Sequence, residues 1–220
     1  MKIKICGITN LGDATECQTL GVNYLGFIFY KKSPRYINYS NAKKIIAGLN
    51  SKVQKVGVFV NTDNNEINTI SKDIGLDYVQ LHGNEGVEDI FEIKLPCIKA
   101  LDGNSRSLSD NINMFKNAKY LLLDNISKNI KGGSGNKFDW NNLKNIDNKK
   151  NIILSGGLSQ ENILDAIDKT GIEFYDFCSS TEIKPGIKNI KKIESIVDLS
   201  LIHISEPTRP ERIAGAGVWV

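Results

Sequence analysis

Residues 55–82, KVGVFVNTDNNEINTISKDIGLDYVQLH, contain one full repeat of the pattern that organises this chain. KVGVFV is a short β-branched and aromatic run, apolar at alternate and at adjacent positions, which reads as a strand buried on both faces. The period then changes. Across Asn64–Ile74 the apolar residues Ile67, Ile70 and Ile74 recur at helical spacing and mark a single face. DYVQLH returns to a strand. A strand covered on both sides, followed by an amphipathic helix and another such strand, is the unit of a parallel sheet with its helices outside.

The same alternation extends in both directions. KIKICGI, YLGFIF, KVGVFV, DYVQLH, CIKAL, KYLLLD, NIILSG and FYDFCS make eight strand candidates, with helical patterns between them such as residues 163–169. Eight βα units in about 200 residues predict an α/β fold, a single-domain (β/α)8 TIM barrel at the small end of its range. A doubly wound open sheet is the alternative. The eight regular units, and the lack of a G-x-G-x-x-G after the first strand, weigh against it.

Composition narrows the function classes. Of the 220 residues 40% are apolar and 24% charged, as in ordinary globular proteins. A net charge of +3 spread along the chain argues against a nucleic-acid or membrane-surface partner. The lysines are expected on a solvated exterior. No apolar run approaches the roughly 20 residues of a spanning helix, and the chain opens directly on a strand, so no signal peptide is expected. Cys6, Cys17, Cys97 and Cys178 form no C-x-x-C pair, and His82 and His203 lie far apart, so no metal site is expected. Free thiols fit a reducing, cytoplasmic setting.

The C-terminus differs in character. Only Arg35 and Arg106 occur up to Leu199, whereas residues 200–220 add Arg209, Arg212, two of the five prolines and one of the two tryptophans. The barrel domain is therefore expected over residues 1–199, with its last helical pattern at 187–199. Residues 200–220 are expected to be a non-native or disordered tail.

In such a barrel the chemistry gathers at the C-terminal ends of the strands. Cys6 ends the first, beside Gly7. It is either a general base activated by nearby positive charge or an inert buried thiol. Asp124, after three leucines, carries a carboxylate to the mouth of the sixth strand, where it serves as a general acid or orders a loop. Gly133, Ser134 and Gly135 follow in GGSG, a backbone able to turn N–H groups toward an anion. Gly156 and Gly157 end the seventh strand, with Ser159 expected to cap the next helix, and Ser179 and Ser180 end the eighth. Phosphate sites recur in the last loops of this fold. Arg35, in KKSPRYI, offers a planar fork to a carboxylate or is a surface arginine. His82, in QLHGNE, faces the same mouth, as a substrate contact or a loop hydrogen bond.

Nine segments in order, KICGIT, GFIFYKKSPRYI, VGVFVN, VQLHG, IKAL, LLLD, GGSGNKFDW, LSGGLSQENI and DFCSSTEIKPGIK, closely resemble phosphoribosylanthranilate isomerase of tryptophan biosynthesis. The resemblance spans almost all of residues 2–198. It implies a cofactor-independent, metal-free aldose–ketose isomerase acting on a phosphorylated small molecule, as a monomer or homodimer. It places Cys6 on the general base, Asp124 on the general acid and Arg35 on the arginine for the anthranilate carboxylate. The phosphate site falls on Gly133, Ser134, Gly135, Gly156, Gly157, Ser179 and Ser180. One departure is visible. Where the family usually reads DVSSGVE this chain reads DFCSSTE, so Cys178 replaces a serine and Ser180 a glycine. A backbone requiring φ > 0 at Ser180 would crowd the phosphate and weaken substrate affinity. Two further alternatives are a different phosphate-barrel isomerase and a phosphate-binding barrel that has lost activity.

Overall fold

Every one of the eight apolar runs is a strand, and the strands close on themselves. The structure is a computed structural model that describes residues 1–125, 139–143, 146 and 149–205, with side chains through residue 201. β1 (Lys2–Cys6), β2 (Tyr24–Ile28), β3 (Gln54–Phe59), β4 (Tyr78–Leu81), β5 (Cys97–Asp102), β6 (Tyr120–Asp124), β7 (Ile152–Leu154) and β8 (Phe174–Phe177) form a closed barrel in sequence order. The neighbouring pairs are parallel, and β8 returns to β1 with Ile5 opposite Phe177.

The helices around it are α1 (Leu11–Thr19), α2 (Tyr39–Ala47), α3 (Asn64–Ile74), α4 (Val87–Glu92), α5 (Leu108–Met114), α6 (Ile163–Thr170) and α7 (Ile190–Ser205). Local chemistry sets their ends. The Asp63 side chain accepts from the Asn65 and Glu66 N–H groups at the start of α3, and Gly75 ends it at φ 77°. Asn10 and Asn38 cap α1 and α2 in the same way. The apolar face of α3, Ile67, Ile70 and Ile74, is buried as its period requires. Helix α6 differs from expectation at its start: Asn162, not Ser159, precedes it. The Asn162 carboxamide accepts from Ser159 N–H at 3.0 Å and donates to the Gly157 carbonyl at 2.8 Å, so it spans the whole turn after β7. Helix α7 runs across residue 199 to Ser205, and Ser200 is buried.

Alternation along each strand sorts side chains between two cores. Outward-facing residues such as Ile5, Leu25, Phe27, Leu81, Leu123, Tyr175 and Phe177 pack against the helices. Inward-facing residues stack in layers. Tyr24, Tyr78, Tyr120 and Phe174 form an aromatic floor at the N-terminal end, with ring centroids 4.7 to 5.6 Å apart for Tyr24–Phe174, Tyr120–Phe174 and Tyr24–Tyr78. Val56, Ile98, Ala100, Leu122 and Ile153 lie in the same inner cluster. Three lysines depart from the expected solvated exterior: Lys4, Lys99 and Lys188 are buried, each against a carboxylate. A charge removed from water in this way needs a partner to offset its lost hydration.

Candidate active site

The inward positions change from apolar to polar toward the C-terminal ends of the strands. There Cys6, Gln80, His82, Asp124, Ser155, Asp176 and Cys178 line an open cavity of about 740 Å³. The loop residues Tyr30, Ser33, Arg35, Gly156, Gly157, Leu158 and Ser179 complete its walls. Most of the residues expected at the mouth are therefore in one place. Gly133, Ser134 and Gly135 lie outside the described residues.

Cys6 is held by close packing. A Cβ on Gly26, the β2 residue opposite it, would stand 2.7 Å from Cys6 Sγ, so only glycine leaves room for the thiol. Gly7 follows at φ 82°, and a Cβ there would meet Arg35 Cδ at 2.8 Å. The thiol is well below the ordinary cysteine range. Its interaction with the Cys178 thiol is the largest cause, followed by the positive charges of Lys4, Lys188 and His82, which together outweigh burial. Cys178 moves the other way, well above the usual range, through its hydrogen-bonding interaction with Cys6, then burial, then repulsion by the Cys6 thiolate. Cys17 and Cys97 are pushed up to about 12 by burial and sit in the core as ordinary apolar side chains.

Asp124 presents one oxygen to the cavity. Its Oδ1 accepts from the Asn125 N–H at 2.7 Å, while Oδ2 lies 3.6 Å from His82 Nε2. Gln80 Nε2 lies 2.9 Å from His82 Nδ1, a contact that orients the imidazole so that Nε2 faces Asp124. His82 Nε2 has no hydrogen-bond partner among the described residues. Gly156 stands against this carboxylate at φ 78°, where a Cβ would come within 2.9 Å of Asp124 Oδ1 and 2.8 Å of Asn125 N. Gly156 thus leaves room for the Asp124 carboxylate as well as turning the loop.

Arg35 is not a surface side chain. Its Nε donates to both carboxylate oxygens of Glu182, at 2.9 and 3.0 Å, and Nη2 donates to Oε2 at 2.8 Å. Lys188 Nζ donates to Glu182 Oε1 at 3.0 Å and to the Cys6 carbonyl at 2.6 Å. Against the cost of burial, Arg35 and Lys188 hold the Glu182 carboxyl below its usual range. Glu182 and Lys188 come from an antiparallel hairpin of β9 (Glu182–Lys184) and β10 (Ile187–Lys188), turned by Pro185 and Gly186 with Gly186 at φ 81°. One layer below Cys6, the fully buried Lys4 donates to Asp176 at 2.9 Å. Burial pushes the Asp176 carboxyl up to about 7 despite that ammonium. Lys4 stays cationic, since Asp176 and Cys6 outweigh its own burial.

Ser179 lines the cavity, and the buried Oγ of the adjoining Ser180 has no hydrogen-bond partner among the described residues. The strain expected at Ser180 is absent. Asn61 is the only described non-glycine residue with positive φ, and Ser180 sits in a 3-10 turn over Ser179–Thr181 that glycine is not needed to form.

Sequence reasoning missed Lys4, Asp176, Glu182 and Lys188 as parts of this site. Lys4 and Asp176 stand two residues before Cys6 and Cys178, so the strand period alone puts them on the same inner face. The Pro-Gly step between EIK and IK is a hairpin signal.

Comparisons with known proteins converge on one family. A family model described as N-(5′phosphoribosyl)anthranilate (PRA) isomerase matches residues 3–199. N-(5′-phosphoribosyl)anthranilate isomerase of Rubrobacter xylanophilus is 37% identical over 199 residues, covering 89% of this chain and 97% of its own length. Among solved structures, phosphoribosyl anthranilate isomerase from Thermotoga maritima superposes with a TM-score of 0.84 at 35% identity, over 91% of this chain and 98% of that one. A structure of phosphoribosyl anthranilate isomerase in complex with reduced 1-(o-carboxyphenylamino)-1-deoxyribulose 5-phosphate superposes with a TM-score of 0.81 at 34% identity, with the same coverage of both chains. A barrel whose mouth sets a depressed thiol across from a carboxylate, with this degree of likeness along nearly its whole length, belongs to the N-(5′-phosphoribosyl)anthranilate isomerase family.

Proposed function

We propose that this chain converts N-(5-phosphoribosyl)anthranilate into 1-(2-carboxyphenylamino)-1-deoxyribulose 5-phosphate, with Asp124 as general acid and Cys6 as general base. The observation that carries this reading is the placement of those two groups: both face one cavity, from β1 and β6, and nearby cations favour the ionised form of the thiol. Asp124, through its cavity-facing Oδ2, protonates the furanose ring oxygen and opens the ring to an iminium ion. The Cys6 thiolate removes the proton from C2, which gives an enolamine; this becomes the ketone as C1 takes up a proton and the C2 hydroxyl gives one up. Two protons are delivered and two removed, and C1 is reduced as C2 is oxidised within one molecule, so the reaction calls for no redox partner.

The remaining residues position the substrate. Arg35, with Nη1 outside its bonds to Glu182, receives the anthranilate carboxylate, and His82 steadies the sugar beside Asp124. Gly156, Gly157 and Ser179, with Gly133, Ser134, Gly135 and Ser180, hold the phosphate. Holding the sugar between acid and base in this way lowers the barrier by up to about 7–11 kcal/mol.

The test is loss of anthranilate fluorescence on mixing with freshly generated substrate, in the wild type, Cys6→Ala and Asp124→Asn. Each variant is expected to keep its fold by circular dichroism and lose about 10²–10⁴-fold in kcat. A near-normal rate in either one refutes that residue's role. Tight binding of a product analogue with no turnover in the wild type points instead to a barrel that only binds phosphate.

A further inference from the structure

Cys178 has no part in the chemistry just described, yet it lies beside the proposed base on the adjacent strand. β1 and β8 pair in parallel with Ile5 opposite Phe177, so Cys6 and Cys178 come next on adjacent strands, about 4.8 Å apart at the backbone. Both side chains line the cavity, and each thiol shifts the ionisation of the other. A single ammonium ties their backbones together: Lys188 Nζ donates to the Cys6 carbonyl at 2.6 Å and to the Cys178 carbonyl at 3.3 Å.

The charged groups around the pair are unevenly placed. Lys4 and Asp176 lie one layer below on β1 and β8, and Lys188 and Glu182 come from the hairpin. Arg35 enters from the loop after β2, while His82 and Asp124 face across from β4 and β6. Lys4, Lys188 and His82 act on Cys6, whereas Lys188 and Arg35 act on Cys178. Two adjacent thiolates repel, so one sulfur ionises and the other keeps its proton. With more cations directed at it, Cys6 is the one that ionises. A thiol is a weak donor to a neutral acceptor, and a bond to an anion is roughly twice as strong.

We propose that Cys178 is a positioning residue: it remains a thiol and donates its S–H to Cys6 Sγ, which favours the thiolate and holds it at the cavity wall. The role rests on the isomerase reading only in what the thiolate is used for. The donor–acceptor pair itself can be tested without turnover.

The experiment follows iodoacetamide alkylation of Cys6 against pH, resolved by peptide mass spectrometry, in the wild type, Cys178→Ala and Cys178→Ser. The kcat/KM profile of each protein is recorded alongside, with Cys17 and Cys97 as internal standards. Removing the donor in Cys178→Ala is expected to move the Cys6 reactivity midpoint and the acid limb of kcat/KM upward together by about one pH unit, a tenfold smaller thiolate fraction on the limb. The serine hydroxyl, also a donor, is expected to restore most of the shift. Cys178→Val serves as a second donor-free variant should the alanine protein not fold. An unmoved midpoint in the donor-free variant overturns the proposal, as does an equal shift in the serine and donor-free proteins. If the midpoint moves but no protein turns over, the donor role stands and the isomerase reading fails.

Discussion

Gly26 shows how much of this site is decided by what is missing. The thiol of Cys6 occupies the volume where any other β2 residue would place its Cβ, with 2.7 Å to Sγ and 3.1 Å to the Cys6 Cα. Gly26→Ala must push the Cys6 thiol, the proposed base, out of position. We expect at least a tenfold fall in kcat with a loss of about 1–3 kcal/mol in stability, read from steady-state rates and urea midpoints. Individual site residues were legible to differing degrees. Cys6, Asp124, His82, Gly156, Gly157 and Ser179 were legible because each ends a strand whose apolar run announces it, and they gather at one cavity. Arg35 was legible as an arginine of the mouth, but its engagement by Glu182 was not, since the partners lie 147 residues apart and meet only once the barrel closes. The concern over Ser180 came from reading a glycine position as a positive-φ position, and the 3-10 turn there makes no such demand.

At the scale of elements, β1 and β8 are joined by more than backbone hydrogen bonds. Lys4 and Asp176 are opposite one another in register and meet at 2.9 Å inside the barrel, the first fully buried and the second nearly so. Asp176→Asn leaves a buried ammonium without its counter-charge and is expected to cost about 3–5 kcal/mol, whereas Lys4→Met combined with Asp176→Leu is expected near wild type. Urea unfolding of the single and double variants checks this: equal losses in both would show that the pair stabilises the fold outright. The elements themselves were legible from periodicity, including the bounds of α3. The start of α6 was not, because Ser159 and Asn162 are both good caps and only the tertiary turn through Gly157 selects between them. The β9–β10 hairpin was overlooked for a simpler reason: two- and three-residue strands are too short to show a period.

Over the whole molecule, eight strands in sequence order close without an edge, as continuous apolar runs demand. The family model ends at residue 199 while α7 continues to Ser205 with Ser200 buried, so we propose that the catalytic unit extends to Ser205. Truncation after Ser205 is expected to leave Tm and kcat/KM unchanged, and truncation after Leu199, which cuts a packed helix, to lower Tm by several degrees. A fall in either quantity on the shorter cut would restore residues 206–220 to the fold. The aromatic floor of Tyr24, Tyr78, Tyr120 and Phe174 has a kinetic meaning as well. It makes the barrel a cul-de-sac: arriving substrate and departing product share one doorway, each waits for the other to clear it, and a molecule shaped like the product slows the enzyme by standing in the entrance.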